Sequence, residues 1–316
     1  MIVLAAVRRI AVSVVLALLI GLISFSVMYF SPGNPAAMLL HYRNPTGGLN
    51  QQTVEAYAER LGTNQSFFAQ FGDWLTGALK GDLGQSFKTG LPVLQEFTDR
   101  MWCTFGLMLY ATVLALTVGV ALGALSARYH NRLLDQIVRH LVVVNMSVPS
   151  FCLGLLFMWV FAIELKLFPS FGYDGAWSLI LPGTVLGIGY SGTIVRMTKS
   201  SMMDNLGSPY VVTARAKGLT EGAILTRHVL KNVSLPIITL SGMNAVSLLG
   251  GSVIIENIFG LPGLGNYLIT AIKMKDFPVI IGFVFLMGLM VIAINLLIDM
   301  LYALIDPRVR LAANEN

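Results

Sequence analysis

Between residues 211 and 236 the chain reads VVTARAKGLTEGAILTRHVLKNVSLP, a polar and basic segment that lies between two long apolar stretches. Gly218 interrupts this segment and Pro236 closes it. The pattern predicts a short helix that ends near Gly218, because glycine readily adopts the left-handed conformation found after helix ends. A second helix is predicted from about residue 220 to 231, and Pro236 is expected in the first turn of the following span.

The composition around this segment is that of a polytopic membrane protein. Charged residues make up 12% of the 316 residues and hydrophobic residues 55%, whereas an ordinary soluble domain has roughly 25% charged residues. The mean hydropathy is +0.73. Six stretches are long enough to cross a bilayer as helices, at about residues 10–30, 103–126, 138–163, 179–198, 234–256 and 279–304. The first is longer than the apolar part of a signal peptide and is expected to remain as a membrane helix.

The distribution of lysine and arginine predicts the orientation of these spans. With the N-terminus in the cytoplasm, the inner segments contain Arg8, Arg9, Arg128, Arg132, Arg139, Arg196, Lys199, Arg215, Lys217, Arg227, Lys231, Arg308 and Arg310. The two short outer loops contain only Lys166, Lys273 and Lys275. This asymmetry follows the positive-inside rule and places both termini in the cytoplasm. The net charge of +5 is attributed to these loops, and nucleic-acid binding is not expected.

The first outer segment, residues 31–102, is too long for a simple connection. The Pro/Gly/Asn cluster that opens it predicts turns, and TVEAYAERLG predicts a short surface helix that ends at Leu61-Gly62. We expect a small folded lobe with Trp74 and Phe87 in its core; the alternative is a mobile loop.

The residues that carry chemistry in enzymes do not form a recognisable pattern. The sequence has no G-x-x-x-x-G-K-[ST], C-x-x-C or H-E-x-x-H motif. His41, His130, His140 and His228 lack metal-ligand spacing, and Cys103 and Cys152 lie in apolar runs that do not indicate a disulfide framework. No catalytic, cofactor-binding or metal-binding residue is therefore predicted.

Polar residues inside the spans are the candidates for a transport pathway. The third span contains Asn145, Ser147, Pro149 and Ser150, and in the fifth span Ser241, Asn244, Ser247 and Gly251 lie on one helix face. Polar and small residues on one face can line a wet pathway, or they can join helices to one another. The candidate pathway-lining residues are Asn145, Ser147, Ser241, Asn244 and Ser247. The 15 methionines are interpreted mainly as core filler, with a methionine-lined metal path as the alternative.

The opening segment allows two interpretations of its own. Ala214, Ala216 and Gly218 are small, and Ala214 and Gly218 are spaced i,i+4, which would place them on one helix face. Such a face could dock closely into a groove on another protein. The alternative is an ordinary solvated loop helix, since Arg215 and Lys217 would be costly inside the bilayer.

The motifs of the chain resemble those of ABC-importer permeases of the dipeptide/oligopeptide/nickel family, and specifically the first of the two permease types. The resemblance is carried in order by PGNPA, FGDWLTGALKGDLGQSF, SVPSFCLGLL, LFPSFGY, LPGTVLG, TARAKG, HVLKNVSLP, IIENIFGLPGLGNYLITAI, KDFPVI and NLLIDMLYALIDPRVR. The broader permease signature begins with Glu-Ala-Ala, where this chain has Val212, Thr213 and Ala214. LGTNQSF also departs from the more usual run in the outer segment.

The resemblance implies an all-α membrane protein with six transmembrane helices. It would have a small extracytoplasmic lobe between helices 1 and 2 and a cytoplasmic coupling helix between helices 4 and 5. The implied organisation is a first helix over 1–30, the lobe over 31–102, a permease core over 103–306 with coupling helices at about 204–231, and a cytoplasmic tail over 307–316.

The resemblance also implies partners and a role. Thr213, Ala214, Arg215, Ala216, Lys217 and Gly218 would dock on a separate ATPase subunit. Two such subunits would bind ATP and Mg²⁺, so this chain itself would not be an enzyme and would hold no cofactor. A second homologous permease, an extracytoplasmic substrate-binding protein and the lipid of a prokaryotic inner membrane would complete the transporter. RHVLKNVSLPIIT and GGSVIIENIF are nearer to nickel-type permeases, so the expected cargo is nickel, free or chelated, or short peptides.

Two other functions are weighed against this one. A stand-alone secondary transporter commonly shows internal repeats and ionisable residues at mid-membrane depth. This sequence shows no repeat, and Glu164, Glu256 and Asp299 lie toward the ends of their spans. An intramembrane enzyme would need a nucleophile and base or a metal site, which the sequence does not show. Co-purification with an ATPase subunit would separate these classes.

Overall fold

A computed structural model describes residues 2–30, 35–43, 51–60 and 64–305. These residues are helical, with only an isolated bridge between Gln85 and Pro92 outside helices and turns, which confirms the all-α prediction for this part of the chain. The Leu61-Gly62 stop signal and the tail over 307–316 lie outside the described residues. The chain divides into two compact units, one of Met1–Trp102 and Tyr267–Ala293 and one of Cys103–Asn266 and Ile294–Asn316.

The helices are numbered in their order along the chain. They are α1 (Ile2–Tyr29), α2 (Pro35–Arg43), α3 (Gln51–Arg60), α4 (Phe67–Leu79), α5 (Val93–Arg128), α6 (Leu133–Ser147), α7 (Ser150–Phe157), α8 (Ile180–Leu206), α9 (Pro209–Ala216), α10 (Glu221–Ala223), α11 (Leu230–Phe259), α12 (Leu264–Met274) and α13 (Phe277–Ile305). A π-helical segment, Met158–Glu164, continues α7, and a second, Ile224–Val229, joins α10 to α11. The helix over 51–60 confirms the short helix predicted in the outer segment.

Within the residues that the structure describes, five helices are long and apolar enough to cross a membrane, over Ala11–Tyr29, Val93–Arg128, Ala176–Leu206, Glu221–Phe259 and Phe277–Ile298. The predicted third span is different, because it consists of Leu133–Ser147 and Ser150–Glu164, which meet at 101°. The bend lies at Val148, whose φ of −89° and ψ of 123° are extended. A residue that precedes proline is sterically driven out of the helical region, so Pro149 explains the break.

Pro236 does not begin a span, and that prediction is wrong. It lies inside α11, six residues after the helix begins at Leu230. Proline has no N–H, so the carbonyl of Asn232 loses its usual intrahelical partner. Membrane helices tolerate this loss because local π-helical adjustments and neighbouring hydroxyl groups satisfy freed backbone groups, and the segment Ile224–Val229 directly before α11 is π-helical.

In the first unit, aromatic side chains join α1, α4 and α13. The ring of Trp74 lies 6.0 Å from that of Phe25, 6.1 Å from that of Phe71 and 5.3 Å from that of Phe285, measured between centroids. Trp74 was expected in the core of an outer lobe, but its partners Phe25 and Phe285 belong to the long apolar helices α1 and α13.

In the second unit, α5, α8 and α11 pack around a core that reaches into α9. Ile194 and Met202 of α8, Val211 of α9, and Ile224 and Val229 of the π-helical segment are all at most 1% exposed. The polar, basic segment is thus anchored on its inner side by apolar contacts within its own chain.

Candidate functional site

The segment that interrupts the apolar helices forms a helix, a turn and a second helix. Pro209 occupies the first turn of α9, a position where its fixed φ favours helix initiation. Gly218 follows the end of α9 with a φ of +77°, as the sequence predicted. Thr220 then begins α10, and its hydroxyl accepts a hydrogen bond from the backbone N–H of Ala223 at 3.4 Å.

The inner side of α9 packs on its own chain. Val211 is fully buried and Ala214 is 6% exposed, in the same apolar cluster as Ile224 and Leu225. Ala214 and Gly218 do not share a helix face, because α9 ends at Ala216. The prediction of a shared helix face for these two residues is therefore wrong, since the small side chain of Ala214 serves packing within the chain. Docking of the segment on a partner stays a prediction.

The outer side of α9 carries a different set of residues. Val212 is 57% exposed and Leu219, beyond the turn, is 41% exposed. Thr213, Ala216 and Lys217 are also exposed, and Val212 and Ala216 are spaced i,i+4 on one face. This patch of Val212, Ala216 and Leu219, which we call the α9 patch, is apolar and small in an otherwise polar segment.

An ion pair between Arg215 and Glu221 spans the turn that follows α9. Nε of Arg215 lies 2.7 Å from Oε1 of Glu221, and Nη2 lies 3.3 Å from Oε2. The two hydrogen bonds and the charge of Glu221 raise the pKa of Arg215 above its ordinary value. The pair is solvent-exposed, so it orients α9 on α10 more than it stabilises the fold.

Two of the candidate pathway residues join helices. Nδ2 of Asn145 on α6 donates to the carbonyl of Ile188 on α8 at 2.8 Å. Nδ2 of Asn244 on α11 donates to Oγ1 of Thr193 on α8 at 3.2 Å. Both asparagines are half-buried, so their interhelical role is visible in the structure.

The three serines behave differently from the asparagines. The hydroxyls of Ser147, Ser241 and Ser247 donate to backbone carbonyls one turn earlier in their own helices, at 2.8, 2.7 and 3.1 Å. Ser241 is buried, whereas Ser147 and Ser247 are exposed. The structure does not bring the five candidates together into one site.

A buried carboxylate that the sequence analysis missed holds α5, α6 and α8 together. Asp135 is fully buried and accepts hydrogen bonds from the hydroxyl of Ser126 and the backbone N–H of Asn131. It also pairs with Nζ of Lys199 at 2.5 Å and with Nη2 of Arg139 at 3.2 Å. The available signal was a single acid within the basic run HNRLLDQIVRH.

A second buried carboxylate, that of Glu256 in α11, caps the start of α12. It is fully buried and accepts hydrogen bonds from the hydroxyl of Thr104 at 2.7 Å and from the backbone N–H of Gly265 at 2.7 Å. The N–H of Asn266 adds a third bond at 3.3 Å. Gly265 and Asn266 belong to the first turn of α12, so the carboxylate satisfies two backbone N–H groups that lack intrahelical partners. Glu256 is thus fully engaged in structure rather than free in a pathway.

In the first unit, Asp276 holds the loop that contains GDLGQSF. Its carboxylate accepts from the hydroxyl of Ser86 at 2.6 Å and from the backbone N–H groups of Phe87 and Lys88 at 3.1 and 3.2 Å. Phe87 is half-buried, and its backbone takes part in this contact. Nearby, burial and the hydrogen bond to Glu96 raise the pKa of the Tyr267 phenol.

The long apolar helices define the chain as a multi-span membrane protein. The chain belongs to the family of binding-protein-dependent transport system inner membrane components, as an ABC importer permease of the peptide/nickel type. The family model matches residues 119–311, and a model of the N-terminal membrane component matches residues 2–108. The resemblance found in the sequence is thereby confirmed.

Similar proteins cover nearly the whole chain. A putative peptide transport system permease protein of Brucella abortus is 37% identical over 311 residues, which cover 96% of this chain and 98% of the relative. A dipeptide transport system permease protein of Alkalihalophilus pseudofirmus is 33% identical and covers the same shares. A glutathione transport system permease protein of Escherichia coli is 35% identical over 92% of this chain and 94% of its own length.

A solved structure shares the fold. An inward-facing structure of the MetNI methionine ABC transporter matches with a TM-score of 0.57 and 17% identity, covering 67% of this chain and 97% of the other. The family is a transporter permease of the inner membrane and is not itself an enzyme. Family membership implies ATPase and substrate-binding partners.

Proposed function

We propose that the chain is one of two homologous permease subunits in an ATP-driven importer of short peptides. The peptides arrive on an extracytoplasmic binding protein, and two ATPase subunits bind ATP and Mg²⁺. The names of the relatives support peptides as cargo, since they are called peptide, dipeptide and glutathione permeases. Nickel, which the sequence also indicated, has no such support among these relatives.

The observation that carries the coupling role is the α9 patch. Exposure of a valine side chain to water is unfavourable. A groove on a partner that covers Val212 and Ala216 would remove this apolar surface from water and so favour docking. Thr213, Arg215 and Lys217 surround the patch and would provide polar contacts to the ATPase. In this proposal the segment over 213–218 still meets the ATPase, and Val212 and Leu219 also belong to the contact. Ala214 does not touch the ATPase but passes the movement of α9 to the rest of the chain.

The packing of α9 explains how movement could pass into the spans. Val211 and Ala214 lie against Ile224 and Leu225 at the base of the long helix that continues as α11. A close-packed contact moves as a unit, because its side chains have no free volume in which to absorb a displacement. ATP drives the spans only if the ATP-bound ATPase pair binds one transmembrane state more tightly than the other.

The pathway and the outer lobe complete the proposal. Ser147 and Ser247 are exposed in the single chain, so we propose that they face the second permease and line the pathway with it. Asn145, Ser241 and Asn244 support this lining from behind. Residues 31–102 would form the surface that meets the binding protein, with both chain termini in the cytoplasm.

A pair of charge substitutions tests the coupling role. Val212→Glu adds a charge to the α9 patch, where burial of an unpaired charge costs on the order of a few kcal/mol. Thr226→Glu is the matched control, because Thr226 is exposed in the next helical segment. We expect Val212→Glu to abolish peptide uptake in vesicles and to weaken ATPase co-purification, with membrane insertion unchanged. Normal uptake and co-purification in Val212→Glu would contradict the proposed docking face.

A further inference from the structure

A cavity of about 470 Å³ lies between α6 and α8 in the second unit. Its lining combines polar side chains, such as Ser126, His130, Arg139 and Lys199, with apolar side chains of α6, such as Val142 and Met146. Small-molecule sites in proteins have volumes of roughly 300–1,000 Å³. We call this cavity the α6–α8 pocket. The coupling and transport roles described above do not use it.

The charges of the pocket are unbalanced. Arg139, Arg196 and Lys199 all line it, whereas Asp135 is the one carboxylate that pairs with any of them among the described residues. Three fixed cations against one carboxylate leave a net charge of +2. The pocket therefore favours an anion.

Arg196 differs from Arg139 and Lys199 in its partners. Within the described part of the chain no carboxylate lies at ion-pair distance from it. Its guanidinium donates a weak hydrogen bond to the thioether of Met146, with Nη1 and Sδ 3.9 Å apart. Arg196 is exposed, so its guanidinium is open to a phosphate, to which it would donate two parallel hydrogen bonds.

The pocket combines cations with an apolar wall, as a phospholipid combines an anionic headgroup with acyl chains. Val138, Val142 and Met146 recur at i,i+4 on the face of α6 that lines the pocket and form this wall. Met146 lies seven residues beyond Arg139, which is about 10 Å at 1.5 Å per residue. An anionic headgroup at Arg139 and Arg196 would thus lie against this wall, which its acyl chains would cover.

From this arrangement we propose that the α6–α8 pocket binds an anionic phospholipid. Basic pockets between membrane helices bind anionic headgroups because the charge attraction adds to burial of the acyl chains. An acidic peptide from a partner would satisfy the cations but not the adjoining apolar wall. Since Asp135 joins α5, α6 and α8, the lipid would extend the same polar network outward into the membrane.

The test measures lipid binding to the full-length chain, purified with the subunits that accompany it and then delipidated. Phosphatidylglycerol and phosphatidylcholine with identical acyl chains are titrated and counted by native mass spectrometry. The wild type should prefer phosphatidylglycerol. Each surface cation contributes about fivefold to such binding, so Arg196→Gln should weaken phosphatidylglycerol binding about fivefold, and Arg139→Gln/Arg196→Gln about 25-fold. Phosphatidylcholine binding should stay unchanged.

The control and a second readout guard against misfolding. Arg132→Gln/Arg227→Gln removes two exposed arginines outside the pocket and should leave the lipid preference intact. Arg196→Gln leaves the Asp135 pairs untouched, so it should keep the thermal stability of the wild type. Phosphatidylglycerol with a diazirine in its acyl chain should label α6 near Val142, Val143 and Met146.

Three results would overturn the proposal. Equal phosphatidylglycerol binding by wild type and Arg196→Gln would show that the pocket holds no lipid phosphate. Displacement of the bound anion by millimolar inorganic phosphate would assign the pocket to a free anion. Crosslinking of Met146→Cys to the second permease in native membranes would assign the apolar wall to a protein interface.

Discussion

Asp135 shows how one side chain can connect three helices. It is fully buried, yet hydrogen-bond donors surround its carboxylate. Arg139 of α6 and the backbone N–H of Asn131 just before α6 are two of them. Ser126 of α5 and Lys199 of α8 are the other two. A buried ion pair contributes little net free energy, but removing one partner is costly because the other charge is left unpaired. The residue therefore matters most to the arrangement of the helices.

We predict that Asp135→Asn lowers the free energy of unfolding by about 3 kcal/mol, since Lys199 and Arg139 would lose a buried counter-charge. Thermal unfolding of the detergent-solubilised protein measures this loss. In Asp135→Asn/Lys199→Gln the cation is removed as well, so the double variant should be less destabilised than the sum of the two single variants. Additive effects would show that the two residues do not interact.

Gly218 is a residue at which backbone conformation alone decides the outcome. A Cβ at this position would meet nothing within 4 Å, but the φ of +77° is unfavourable for other residues. We predict that Gly218→Leu destabilises the turn by about 1–2 kcal/mol, and that it uncouples ATP hydrolysis from uptake.

The control for this variant is Gly218→Asn, because asparagine tolerates the left-handed region. It should retain most of the uptake and ATPase coupling in vesicles. If Gly218→Leu and Gly218→Asn lost activity equally, the cause would be the side chain and not the backbone conformation.

At the scale of elements, α5 and α8 approach closely through two glycines spaced i,i+4. A Cβ at Gly119 would lie 2.6 Å from Cβ of Ile194, and one at Gly123 would lie 2.6 Å from Cβ of Thr198. Small residues at this spacing let membrane helices pack backbone to backbone, where dispersion contacts replace the absent hydrophobic driving force.

We predict that Gly119→Ala destabilises the chain by about 1–3 kcal/mol, because the added methyl group overpacks the contact with Ile194. Gly250→Ala is the matched control, since Gly250 also lies in a membrane helix and a Cβ there meets nothing within 4 Å. The control should be neutral or slightly stabilising. Equal losses of thermal stability in both variants would contradict close packing at Gly119.

The elements that the sequence predicted well are those with a local cause. Hydropathy located the apolar helices because lipid requires long, internally hydrogen-bonded segments, and Gly218 located the turn after α9. The break at Val148 also has a local cause, the following Pro149, but the apolar run around it concealed the bend. The position of Pro236 was predicted wrongly because the composition before α11 does not indicate the π-helical segment, which lets the helix begin ahead of the proline.

The candidate site was harder to predict because it depends on tertiary contacts. The spacing of Ala214 and Gly218 suggested one docking face, whereas Ala214 packs on Ile224 and the exposed face belongs to Val212 and Ala216. The partners of the buried carboxylates Asp135 and Glu256 could likewise not be predicted, since they lie on segments that only the fold brings near. Helix periodicity cannot distinguish a face that meets a partner from one that meets its own chain.

For the whole molecule, the charge distribution predicts the orientation in the membrane. Lysine and arginine are retained on the cytoplasmic side of short connections, so the segment over 207–220 should face the cytoplasm and the loop over 165–175 the outside. The span Ala176–Leu206 lies between them. The α9 patch can meet an ATPase only on the side where ATP is present, and this orientation satisfies that requirement.

We predict that a membrane-impermeant thiol reagent labels Tyr173→Cys in intact cells, but labels Lys217→Cys only after the membrane is permeabilised. Both side chains are exposed, and they lie on either side of one span. Cys152 is exposed and would be replaced by alanine in the background, whereas Cys103 is buried. Cys152→Ala without an added cysteine is the control for labelling of Cys103. Labelling of Lys217→Cys from outside would reverse the orientation, and the α9 patch would then face away from any ATPase.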